Sequence, residues 1–169
     1  MADEIVNRVA NSKLITVDLE DFYPKGQRIV FDIKDWLLEG FLLREKDFRE
    51  QAKNHDWEQY KSAYVALTCS SDAIIPAWTF MLLSTYLMPF AKKVVIGNLE
   101  TLEMVLYQEI ITNTDFSHLE NAPVIVKGCS KKPVPNNAYI FLIEKIQPIA
   151  KSLMYGEACS SVPLFKNKK

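Results

Sequence analysis

The sequence predicts an α/β protein with a mostly parallel sheet and crossover helices. Two observations carry this. Short apolar runs rich in β-branched residues recur at 63–68 (AYVALT), 94–96 (VVI) and 124–127 (VIVK). Longer segments with helical spacing separate them, and strand–helix alternation calls for parallel strands joined by crossovers.

Each element has its own signal. Ile5, Val6, Val9 and Ala10 share one face of a short N-terminal helix. Residues 14–19 read as a strand, closed by the turn Tyr23-Pro24-Lys25-Gly26. Residues 28–33 read as a second strand, Asp35 as the cap of a helical turn over 36–38, and 40–43 as a further strand. The charged stretch 45–53 suits a solvent-facing helix. This β-rich first third leaves room for antiparallel strands at one edge of the sheet.

After the strand at 63–68, residues 75–90 read as a helix with Pro76 in its first turn, where a missing N–H costs least. The strand at 94–96 leads to Asn98, which caps a helix over 99–111, with Thr101 and Glu103 in support. The strand at 124–127 precedes a long helix over 135–154, striped by Ala138, Leu142, Ile146, Ile149 and Leu153 and kinked at Pro148. Residues 162–165 read as a final strand.

With 169 residues, no low-complexity stretch and no Gly/Ser linker, the chain reads as one α/β domain over 1–169. Lys plus Arg total 20 and Asp plus Glu 21, so there is no clustered positive charge to neutralise phosphates. Nucleic acid is therefore not an expected partner. The most apolar segment, 73–91, is interrupted by Ser84, Thr85 and two prolines, which argues against a membrane span. The start Met-Ala-Asp-Glu lacks the basic and apolar parts of a secretory signal. A cytoplasmic protein follows, its three cysteines kept as free thiols or ligands. The sequence leaves the oligomeric state open, a homodimer included.

All three cysteines precede a serine, although the chain has ten serines in all. Two of these pairs sit in similar surroundings: AYVALTCSSDAIIPAWTFMLL and PVIVKGCSKKPVPNNAYIFLI both run strand, Cys-Ser, loop, Pro, aromatic helix. Cys69 lies seven residues before Pro76 and Cys129 six before Pro135. The carboxyl edge of a parallel sheet is where α/β proteins bind ligands, and a helix N-terminus there favours a thiolate. Cys159 joins them if the chain turns back after Gly156.

The leading reading is a composite site in which Cys69, Cys129 and Cys159, with His55 as the best fourth ligand and Asp72 and Glu157 as weaker ones, hold zinc or an iron–sulfur cluster. Its three sulfurs should then lie close enough to share one ion. Against it, a free cysteine packs well as a small hydrophobe. A second reading makes Cys69 the nucleophile of a thiol enzyme or a sulfur carrier, with His55 as base and Asp72 or Asp56 orienting it. A third is a non-catalytic module that binds a protein partner through exposed aromatics. Asp18, Glu20, Asp21, Asp32 and Asp35 form an acidic stretch without the turning glycine of a calcium loop, which reads as a solvated face. GxGxxG, Walker A, HExxH and GxSxG motifs are absent, so phosphate-cradling and serine-hydrolase chemistry lack support.

The stretches DFYPKG, FDIKDWL, LREKDFRE and NHDW, the three Cys-Ser loops and the ending YGEACSSVPLFK together resemble a bacterial family known as domain of unknown function 2480. The resemblance runs from the start of the chain to its final lysines. It implies an association with iron–sulfur cluster assembly, with assembly proteins as partners and Cys69, Cys129 and Cys159 as the residues concerned.

Overall fold

The structure, a computed structural model, describes residues 13–128 and 131–167. The strands are β1 (Ile15–Asp18), β2 (Arg28–Asp32), β3 (Tyr64–Thr68), β4 (Lys93–Ile96), β5 (Pro123–Lys127), β6 (Ser152–Glu157) and β7 (Ser160–Lys166). The helices are α1 (Glu45–Asn54), α2 (Ala77–Leu87), α3 (Leu99–Asn113) and α4 (Asn136–Ile146). The chain forms two compact units. A nested unit is the continuous stretch Pro24–Leu106. A split unit is drawn from the described residues on either side of it, up to Tyr23 and from Tyr107 onward. Among the described residues no helix is long and apolar enough to cross a membrane.

The fold is α/β, as expected, with two sheets. The nested unit carries an all-parallel sheet in the order β2-β3-β4. The split unit carries β1-β5-β6-β7, parallel except for the β6–β7 pair. Each sheet is driven by its central strand, where three consecutive residues are buried: Val65, Ala66 and Leu67 in β3, and Val124, Ile125 and Val126 in β5. Continuous apolar runs of this kind belong to strands covered on both faces.

The two units repeat one another with a shift of 59 residues, as from Pro76 to Pro135. In the nested unit Thr79, Leu83 and Leu87 of α2 are fully buried; in the split unit Ala138, Leu142 and Ile146 of α4 are. Phe48 and Ala52 of α1 are matched by Tyr107 and Ile111 of α3. Ser62 and Asn121, a matched non-glycine pair with positive φ (62° and 55°), turn the chain into β3 and β5. The hydrogen bonds that join them to the next strand also repeat: Ser62 N donates to Phe90 O, and Asn121 N to Ile149 O. Asp32 at the end of β2 and Asp18 at the end of β1 each cap a 3-10 turn, accepting from the N–H two residues on.

Several expected elements need correction. The helix over 135–154 ends at Ile146, and residues 152–157 form β6. Pro148 stops the helix instead of kinking it, because it has no N–H to continue the ladder. Pro89 plays the same part after α2. The expected strand at 40–43 is one antiparallel bridge, Leu38 to Leu42, around a tight turn through Glu39 and Gly40 with φ of 53° and 77°. The cap of the turn before Leu37 is Asp32, not Asp35. The first-third strands β1 and β2 pair in parallel; the antiparallel strand is β7, at the other end of the chain. The helix expected at Ile5, Val6, Val9 and Ala10 lies outside the described residues.

Candidate functional site

In the split unit, three parallel strands end together. Asp18 closes β1 and stands opposite Lys127, which closes β5; Glu157 closes β6. Lys127 Nζ lies 3.6 Å from Asp18 Oδ2 and 3.6 Å from Glu157 Oε1. The charge of Glu157, then that of Asp18, raises the Lys127 ammonium above its ordinary pKa. These groups line a cavity of about 220 Å³ with Glu20, Gly128, Tyr155 and Gly156. A side chain at Gly128 would be strained: its φ is 156°, and a Cβ there would sit 3.0 Å from Leu19 Cβ.

Two Cys-Ser segments start from this rim. Gly128 lines the cavity and is followed in sequence by Cys129, which lies outside the described residues. Beyond it, Lys131 N donates to Glu20 Oε1 at 2.9 Å and Lys132 Nζ to Glu20 O at 3.3 Å. Lys131 and Lys132 are thus tied to a residue that lines the same cavity. Glu157 also lines the cavity, and the chain then reverses in a two-residue turn, Ala158-Cys159, before β7. Gly156 allows the reversal, since a Cβ there would meet Ser160 O at 2.8 Å. Cys159 is exposed at the tip of this hairpin. The tail after Gly156 turns back and docks, as Cys159's participation requires.

In the nested unit the corresponding strand ends are organised differently. Asp32 Oδ1 accepts from Ser70 N at 3.1 Å as well as from Lys34 N at 3.0 Å. Burial opposes ionisation of Asp32, yet hydrogen bonds from Ser70 and Lys34 outweigh it and hold its carboxyl below the usual range. Cys69 is half-buried against the apolar core, its sulfur 3.3 Å from Ser71 Oγ. Asp72 is exposed and lines an apolar hollow with Phe41, Leu42 and Ile74.

His55 sits among the rings of Phe31, Trp36, Trp57 and Tyr60, with centroids 4.7–5.7 Å away. Its Nε2 is 2.9 Å from Tyr60 OH and 3.2 Å from Gln59 Nε2. Burial lowers its pKa, against the raising charge of Asp56. Burial, then Asp56, pushes the Tyr60 hydroxyl up to about 12. Asp56 itself caps the next turn through Glu58 N. The hydrogen bonds of His55 thus go to Tyr60 and Gln59, and those of Cys69 to Ser71. Cys69 and His55 belong to the nested unit and Cys159 to the split unit. Among the described residues no group of three or more His, Cys, Asp or Glu is placed to hold a metal ion.

The family model described as Protein of unknown function (DUF2480) matches residues 3–167, nearly the whole chain. The chain is a DUF2480 protein. No curated protein and no solved structure matches it.

The 59-residue repeat shows why the Cys-Ser pairs of this DUF2480 chain are not equivalent positions. Aligned on the strands and on Pro76 and Pro135, Cys69 falls opposite Gly128 and Ser70 opposite Cys129. Sequence reasoning took Asp18 and Glu20 for a solvated face. The signal was available: VDLEDF at 17–22 and FDIKDW at 31–36 are one motif written twice, each with its Asp at the end of a parallel strand.

Proposed function

We propose that the strand-end cavity of the split unit is a thiolate site, served by Cys129 and Cys159 and used in iron–sulfur cluster assembly as an accessory. One observation carries the reading: Gly128 and Glu157, which lead into the two Cys-Ser segments, line the same cavity. Lys127 supplies the positive charge that favours thiolates nearby. Thiolates select soft metals such as zinc or iron in a cluster. Asp18 and Glu157 hold the lysine in place, and Glu20 accepts from Lys131 N, two residues beyond Cys129 in sequence. The partners of such an accessory are the proteins that assemble the cluster. In the nested unit Cys69 and His55 make no hydrogen bond to one another, and this reading does not need them.

The test is elemental analysis and a visible spectrum of protein purified without oxygen. Wild type and Cys69→Ser are expected to carry zinc, or iron with sulfide; a Cys129→Ser, Cys159→Ser double variant is expected to carry neither. Metal-free wild type, or metal retained by the double variant, overturns the proposal.

A further inference from the structure

The repeat leaves one position filled in the split unit and open in the nested unit. In the split unit β6 has a neighbour on its outer side, β7, with Val162 opposite Tyr155 and Phe165 opposite Leu153. Together β7 and α4 enclose an apolar groove of about 630 Å³, walled by Ile140, Ile143 and Tyr155 and floored by Val162, Leu164 and Phe165. In the nested unit β4 takes the place of β6, and Val94 and Ile96 the places of Leu153 and Tyr155. After Gly97 the chain enters α3 instead of forming a hairpin. Among the described residues, β4 is therefore an edge strand with β3 on one side only. The side chains that would wall the missing groove stand in solvent: Met81 is 67% exposed, Met88 72% and Ile96 59%.

We propose that this edge is a two-fold interface, in which β4 pairs antiparallel with β4 of a second copy. The split unit shows what geometry covers such an edge, namely an antiparallel strand with aliphatic side chains. A copy of β4 meets that description, and an isologous contact needs one self-complementary surface. The register follows from the strand itself. Tyr64 N donates to Gln27 O on the β2 side and Gly97 N to Leu67 O between β3 and β4, so strand alternation turns the main chain of Val95 toward β3 and those of Val94 and Ile96 outward. A two-fold axis perpendicular to the sheet keeps matching faces together, and centring it on Val95 pairs Val95 with itself. Val94 then faces Ile96 of the copy, twice, on the face that carries α2. These contacts reproduce the split unit, with Ile96 of the copy in the place of Phe165 and its Val94 in the place of Val162. No like charges come opposite one another, as such pairs require. Met81 and Met88 close over the joint from each side. Unpaired apolar edges otherwise invite uncontrolled association, and a closed dimer removes this one. The proposal does not rest on the thiolate site.

The experiment is sedimentation of the full chain at micromolar concentration, with reductant present to exclude disulfide links. Wild type is expected at twice the chain mass of 19.4 kDa. Ile96→Pro removes an outward N–H without taking a donor from the β3 ladder, and Ile96→Lys places a charge in the joint. Both are expected at the single-chain mass with unchanged circular dichroism and melting temperature. In wild type the Val94 amide should exchange slowly, and in Ile96→Lys rapidly. A wild type that sediments as a monomer overturns the proposal and leaves the edge for a foreign peptide. A dimer that survives both substitutions also overturns it, and loss of that dimer in Val162→Lys would place the contact on the β7 groove instead.

Discussion

The nested and split units share a frame and differ in what stands at the ends of their strands. Phe31, Trp36, Trp57 and Tyr60 pack around His55 in the nested unit; in the split unit the matching positions are Val17, Phe22, Phe116 and Leu119, with Thr114 at the position of His55. In the nested unit the strand-end carboxylate is spent on backbone, Asp32 holding Ser70 N. In the split unit the equivalent Asp18 faces a lysine across an open cavity. The positions that repeat are those that bury apolar area and cap turns. The charged groups at the strand ends do not repeat, and such positions are where a fold can acquire chemistry without losing stability.

The largest effect that separates the units should come from Arg28. Its guanidinium meets Glu103 at 2.6 and 3.2 Å, donates to Pro24 O and Gly26 O, and lies over the Tyr64 ring. Both side chains of the pair are about nine-tenths buried. Arg28→Ala strands a buried carboxylate and should cost about 3–5 kcal/mol in urea unfolding. A loss near zero would show that water reaches Glu103 and that the nested unit is not stapled there.

The frame itself can be tested by paired substitution. Leu83 and Leu142 are both fully buried and occupy matched positions. Leu83→Ala and Leu142→Ala should each destabilise by about 2–5 kcal/mol. Strongly unequal losses would mean that the matched positions do not do matched work.

Asp32 and Asp18 should part company more modestly. Either change to Ala removes a turn cap, worth about 0.5–2 kcal/mol at a helix start. Asp32→Ala also frees Ser70 N, so it should lie at the upper end and Asp18→Ala at the lower. Equal losses in thermal melts would remove the distinction between the two strand ends.

The smallest effect concerns pH. His55 has a folded pKa below the ordinary 6.5, so the unfolded chain takes up its proton first. The stability it contributes is complete above pH 6.5 and falls away as pH drops towards the folded value. His55→Gln, which cannot titrate, should flatten that part of the melting temperature profile. A profile unchanged by the substitution would show that the aromatic surroundings do not disfavour the charged ring.

The central strands could be read from the sequence because their burial is continuous: AYVALT and VIVK contain little else but apolar residues. The end of α4 could not, because Ile149 and Leu153 keep helical spacing with Ile146 across Pro148. Spacing alone does not show whether the ladder survives a residue without an N–H. The repeat was visible as two similar stretches, yet matching them on cysteine put the register out by one residue. Pro76 and Pro135, fixed by helix starts, set the true alignment. The pairing of Lys127 was illegible because its partners, Asp18 and Glu157, come from two strands distant in sequence.

The nesting of one unit inside the other sets an order of events during synthesis. β2, β3 and β4 all belong to the continuous stretch Pro24–Leu106 and need nothing from beyond it to pair with one another. β1 is made earlier than any of them, but Ile15 pairs with Val124, on the far side of that stretch. At about 5–20 residues per second, β1 waits roughly five to twenty seconds for its partner. During that wait the nested unit can collapse first. Its collapse brings the ends of a long loop together and lowers the entropy that β1 and β5 must still lose to meet. The interrupted half of the chain is thus closed by the uninterrupted half, which serves it as a folded tether.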